Sequence, residues 1–134
     1  MFVHCCHCRS CQKETGSAFV INALIESAEV ETIEGSPQPF MTPSESGRGQ
    51  QIWRCPECAV ALWSNYGGSR DVLRFVRVGT LDRPEDVEPD IHIYTRSKLP
   101  WVRLPDGARA VEAYYDSSEV WPRESLERRR TLLG

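Results

Sequence analysis

Cys6, Cys8 and Cys11 follow one another at spacings that let three thiolates converge on one ion, because a short run folded over a metal turns neighbouring sulfurs toward it. A second pair, Cys55 and Cys58, flanks Pro56-Glu57, and Cys5 completes the six cysteines of the chain. Paired Cys-x-x-Cys motifs are a strong zinc signal. Two arrangements satisfy the spacing. In one, Cys8, Cys11, Cys55 and Cys58 close a four-thiolate shell with Zn–S bonds of about 2.3 Å, and Cys5 and Cys6 are spare. In the other, Cys6, Cys8 and Cys11 hold an ion with its fourth position open, and Cys55 and Cys58 belong to a second site that needs two further ligands. A closed shell is structural, whereas an open position admits water or substrate. Disulfides are the plain alternative, and a reducing compartment disfavours them.

The elements that would position these thiols read as mainly β with little helix. Short runs rich in Val, Ile, Phe, Trp and Tyr cover Phe19–Ile25, Glu29–Ile33, Gln51–Arg54, Ala59–Ser64, Val72–Val78, Ile91–Tyr94 and Ala110–Tyr115. Turn signals separate them, at Gly35-Ser36-Pro37, Gly67-Gly68, Asp82-Arg83-Pro84 and Pro105-Asp106-Gly107. An antiparallel sheet protein is the expectation, with Gly35 to Gly49 as a long loop or hairpin tip. Helix is confined to a turn at Cys11–Thr15, a turn at Pro84-Glu85-Asp86 and a charged tail from Pro122 to Leu133, whose Arg128-Arg129-Arg130 reads as a solvated face.

The 134 residues suit one domain. A net charge of −3 argues against bulk electrostatic binding of nucleic acid. No apolar stretch approaches the ~20 residues that span a bilayer. No basic-then-apolar leader opens the sequence, so a cytoplasmic location is expected.

The run Cys6-His7-Cys8-Arg9-Ser10-Cys11-Gln12-Lys13-Glu14-Thr15-Gly16-Ser17-Ala18-Phe19 resembles the signature of the glutathione-dependent formaldehyde-activating enzyme family, the GFA or CENP-V/GFA domain. Four further segments are similar in the same order: Trp53-Arg54-Cys55-Pro56-Glu57-Cys58 with Leu62-Trp63, Val78-Gly79-Thr80-Leu81-Asp82, Asp90-Ile91-His92-Ile93-Tyr94, and Lys98-Leu99-Pro100-Trp101-Val102. The resemblance implies a β-tent of antiparallel sheets pinned by zinc over residues 1–116, followed by a tail, 117–134. It implies that Cys6, Cys8 and Cys11 are the catalytic zinc ligands, and that Cys55 and Cys58 are half of a structural zinc site. The Cys-x-Cys-Gly motif that supplies the other half in the family is not in the sequence, and Ala59 stands where relatives often carry glycine.

The implied activity is that of a zinc-dependent carbon–sulfur lyase, or S-(hydroxymethyl)glutathione synthase, with one or two zinc ions and glutathione as co-substrate. Its partners are then a small-molecule thiol and an aldehyde, with neither nucleic acid nor membrane. Arg9, Lys13 and Ser17, close to the trio in sequence, are candidate contacts for the glutathione carboxylates, although a solvent-facing turn explains Arg9 and Lys13 as well. His7 is expected to point away from the ion. His92, on an apolar strand, reads first as a hydrogen-bonded core residue, and the resemblance adds a role in handling a proton near the pocket. Trp53, Trp63 and Trp101 read as core or pocket-wall aromatics, and Cys5 as a spare thiol or a stand-in for the missing structural ligands. The competing reading is a non-catalytic zinc-stabilised β module that binds a protein partner. A dithiol redox module lacks the βαβ pattern that such chemistry uses.

Overall fold

The computed structural model describes residues 1–67 and 70–134, with Arg70 described in its backbone only. The strands are β1 (Phe2–Cys6), β2 (Val20–Glu26), β3 (Gln38–Thr42), β4 (Gln50–Arg54), β5 (Ala61–Tyr66), β6 (Leu73–Arg77) and β7 (Ile91–Ile93). The helices are α1 (Arg9–Thr15), α2 (Ser117–Val120) and α3 (Arg123–Leu133), with single 3₁₀ turns between elements. Among the described residues the strands form one seven-stranded sheet in the order β3-β4-β5-β6-β2-β1-β7.

All neighbours are antiparallel except β1 and β7, which run parallel with His4 opposite Ile91, Cys5 opposite His92 and Cys6 opposite Ile93. The sheet is therefore mixed, which corrects the expectation of antiparallel sheets. The parallel pair arises because β7 is reached from β6 by a long crossover, and a tight hairpin would have forced the opposite direction.

Alternation along the strands sorts the side chains into two faces. Phe2, His4 and Cys6 of β1 lie beside Leu24, Asn22 and Val20 of β2, and this face carries the core with Leu73, Ile91, Ile93 and Trp121. Cys5 and His92 belong to the opposite face. There Trp53 and Trp63 stack at 5.6 Å and the Arg74 guanidinium lies 4.1 Å over the Trp63 ring.

Five expected strands correspond to β2, β4, β5, β6 and β7, and the expected tail helix to α3. Two do not form. Glu29–Ile33 alternates like a strand, yet both edges of β2 are occupied by β1 and β6, so the segment cannot fold back beside the strand it follows, and Ile33 is 94% exposed. Ala110–Tyr115 makes one bridge, Ala110 to His92, and then leaves the sheet. Two strands were not anticipated. The first is β1, whose cysteines drew the reading toward metal rather than strand. The second is β3, an exposed edge strand inside the segment taken as loop, where Pro39 blunts the edge. The turn expected at Gly67-Gly68 lies partly outside the described residues.

Candidate metal centre and its cavity

The end of β1 hands Cys6 to the core face, and the chain then turns into α1. Cys8 is the N-cap of that helix: its sulfur accepts the Cys11 amide N–H at 3.3 Å, the role an oxygen side chain usually fills. Gly16 ends the helix in the left-handed conformation, φ 65°, after less than two turns. One strand end and one helical turn thus bring the Cys6, Cys8 and Cys11 sulfurs within 4.8 Å of one another, all buried.

Hydrogen bonds make the trio electrically unequal. The Cys8 thiol is pulled down to about 3, by hydrogen bonding from Cys11 and then from Cys6, against the opposing cost of burial. Cys6 is pushed up by the same Cys11 and Cys8 bonds and by burial. Cys8 is the sulfur that loses its proton first. Three converging thiols without a disulfide, one of them readily ionised, fit a thiophilic ion such as zinc.

The trio forms part of the wall of a cavity of about 920 Å³, a volume in the usual range for a small-molecule site. His4, Tyr66, Tyr94, Tyr114, Tyr115 and Trp121 contribute to its walls, and Arg48 and Arg129 bring cations to it. Trp121 Nε1 donates to Tyr115 Oη at 2.8 Å, and His4 Nε2 meets the same oxygen from the other side. Burial pushes the His4 imidazole down to about 4, so it is neutral at pH 7 and able to accept the phenol proton. Trp121 comes from the turn between α2 and α3, so the C-terminal helices close this side of the cavity. Ser125 Oγ anchors them by donating to the Met1 carbonyl at 2.7 Å.

Helix α1 is fastened from the other side. Glu14 Oε1 lies 2.8 Å from Arg54 Nη2 and Oε2 lies 3.4 Å from Arg77 Nη2, with the Glu14 side chain 5% exposed and that of Arg77 7% exposed. Arg77 Nη1 also donates to Asn22 Oδ1 at 2.6 Å, which joins the helix carrying Cys11 to β2, β4 and β6.

The remaining expected site residues lie elsewhere. Cys55, half-buried, and Cys58, exposed, sit in the β4–β5 hairpin turn and join no three-ligand cluster among the described residues. That geometry does not assemble the closed Cys8/Cys11/Cys55/Cys58 shell. The Cys58 and Glu57 amides, with the Cys58 thiol, lower the Cys55 pKa. Ala59 ends that turn at φ 61°, a conformation natural to glycine. Arg9, Lys13 and Ser17 are exposed and do not line the cavity. Trp53 and Trp63 lie on the opposite face of the sheet, and Trp101 is 72% exposed, so the expectation of a core or pocket-wall position fails for Trp101. Arg128 pairs with Glu26 at 2.6 Å, and Arg129 reaches the cavity, so the arginine run is more than a solvated face. Trp121 and Tyr115 were not singled out from sequence. The signal available was their place in an aromatic-rich segment next to the only sizeable helix pattern.

Three converging thiols at the wall of a cavity in a mixed β sheet make a group that could hold a thiophilic metal ion beside a small-molecule hollow. The chain belongs to the family described as Glutathione-dependent formaldehyde-activating enzyme, which matches residues 1–97. No curated protein matches the chain. Family membership supports a glutathione-dependent formaldehyde-activating or related function. None of the described helices is long and apolar enough to cross a membrane.

Proposed function

We propose that this chain is a zinc-dependent carbon–sulfur lyase of the S-(hydroxymethyl)glutathione synthase type, acting on glutathione–aldehyde adducts in the cytoplasm. The observation that carries the reading is the convergence of Cys6, Cys8 and Cys11 on the wall of a 920 Å³ cavity in a member of this family. Bound by the trio, zinc would supply Lewis acidity that strips the proton from an incoming thiol at neutral pH while leaving it nucleophilic.

The chain's own residues do the rest. The three sulfurs fix where an incoming thiol must sit, and the cavity brings the aldehyde carbon beside it, so positioning lowers the barrier. Arg48 and Arg129 suit the carboxylates of a glutathione tripeptide better than the outlying Arg9, Lys13 and Ser17. The Tyr115 hydroxyl, held between the Trp121 N–H and the His4 imidazole, fixes the polar side of the cavity wall. We take residues 1–116 as a zinc-pinned β-tent and 117–134 as the helical wall that completes the cavity. A non-catalytic module that binds a protein partner would have no use for so large a hollow beside its thiols.

Glutathione and formaldehyde exchange, followed by NMR with zinc content measured on the same samples, tests the reading. Wild-type protein should accelerate exchange. Cys6→Ser should lose the trio-bound ion and the acceleration while its far-UV circular dichroism is unchanged. Acceleration that survives in Cys6→Ser after loss of that ion would refute the proposal.

A further inference from the structure

Directly behind the trio, on the opposite face of β1, lies a second group of metal-binding atoms. Cys5 and His92 are register partners on the parallel β1–β7 pair, and His7 follows Cys5 by two residues. Their donor atoms, like those of the trio, all lie within 4.8 Å of one another. His7 Nε2 is 3.6 Å from Cys5 Sγ and 3.0 Å from His92 Nδ1. Zn–N bonds of about 2.0–2.1 Å and a Zn–S bond of about 2.3 Å set tetrahedral edges of roughly 3.6 Å between nitrogen and sulfur and roughly 3.4 Å between two nitrogens. The first observed edge matches, and the second needs only a small opening.

Hydrogen bonding alone serves these three groups poorly. His7 Nε2 carries either one proton or one lone pair, so it satisfies Cys5 or His92 but not both. The His7 ring is fully buried, and its Nδ1 has no hydrogen-bond partner among the described residues. An ion bound at Nε2 resolves that competition, and it fixes the ring proton on Nδ1.

The framework is rigid. The His7 amide donates to the Ile93 carbonyl at 3.0 Å, and Gln12 Nε2 donates to the carbonyls of His7 and Ser97 at 2.8 and 2.9 Å. His92 is held on its far side by bonds of 2.8 and 2.9 Å with Arg109 and Val111. Lys98, whose charge is felt at His7, gives its ammonium to the Leu99 and Val102 carbonyls.

We propose that Cys5, His7 and His92 form a second ion site, for zinc or a like borderline divalent metal, which clips β1 to β7 on the face opposite the cavity. The half-buried side of His92 leaves the fourth position to water. The site stands independently of the function proposed above, since it shares no ligand with the trio.

Metal-free protein titrated with cobalt(II) and with zinc tests it. Wild type should take up two equivalents, and His92→Gln and Cys6→Ser one each. With four thiolates in all, sulfur-to-cobalt absorption should fall by about one quarter in His92→Gln and to about one quarter in Cys6→Ser. X-ray absorption at the zinc edge of loaded wild type should show imidazole scattering, which the all-sulfur trio cannot produce. This measurement needs no variant, so it decides the question even if His92→Gln fails to fold. A single equivalent with imidazole scattering still supports this site and places the failure at the trio. Loaded wild type without imidazole scattering, or a second equivalent kept by His92→Gln and lost in Cys55→Ser, would overturn the proposal.

Discussion

Glu14→Gln should be among the most damaging single substitutions outside the cysteines. The carboxylate bridges two guanidiniums, and the two are not equally shielded. The Arg54 side chain is 28% exposed, so its share is screened by water and is worth at most ~1 kcal/mol. Arg77 is 7% exposed and, among the described residues, has no other carboxylate within ion-pair distance once Glu14 is neutral, only the Asn22 side-chain oxygen and the new amide. Removing one member of a buried pair typically costs ~3–5 kcal/mol, because the other charge is left uncompensated. With a Gln amide oxygen still able to accept one bond, about 3 kcal/mol is the expected loss. For a chain of this size that is a Tm drop of roughly 10 °C.

Urea unfolding of metal-free samples gives the cleanest reading, since bound metal adds its own stabilisation. The control is a cycle of Glu14→Met, Arg77→Met and the double variant Glu14→Met/Arg77→Met. Replacing both charges by apolar groups should restore much of what either single change loses. Because α1 carries Cys11, Glu14→Gln should also lose its trio-bound zinc to a chelator faster than wild type. A cost under ~1 kcal/mol, with no coupling in the cycle, would show that this pair does not anchor the helix.

Ala59→Gly should stabilise the chain by ~0.5–1 kcal/mol in the same unfolding assay, because the left-handed φ is strained for alanine and the entropy of glycine offsets only part of the relief. Tyr115→Phe leaves the Trp121 N–H without its partner and should cost ~1–3 kcal/mol. It should also blue-shift or broaden Trp121 fluorescence relative to wild type, and an unchanged stability would mean the Trp121–Tyr115–His4 chain is not formed in solution.

Local chemistry was readable wherever a short stretch suffices to build it. The trio is formed by six consecutive residues and one helical turn, so its spacing already carried its geometry. The hairpin strands β4 and β5 were legible for a similar reason, since two β-rich runs close in sequence, with only the Cys55–Cys58 pair between them, define them. Glu29–Ile33 misled because alternation reports a willingness to pair, and both edges of β2, the strand it follows, were already taken by β1 and β6. Trp101 misled because a large aromatic says nothing of which side of the chain will be covered.

Sequence by itself determined the family, the β-rich class and the three clustered sulfurs, all properties carried by nearest neighbours along the chain. Tertiary structure alone decided that β1 pairs in parallel with β7. That one register sets His92 beside Cys5, puts the two ligand groups on opposite faces of one strand, and leaves Cys55 and Cys58 outside both. Contacts between residues as far apart as Cys5 and His92 depend on which strand edges remain open once the local pairs have formed, and no short window of sequence contains that information.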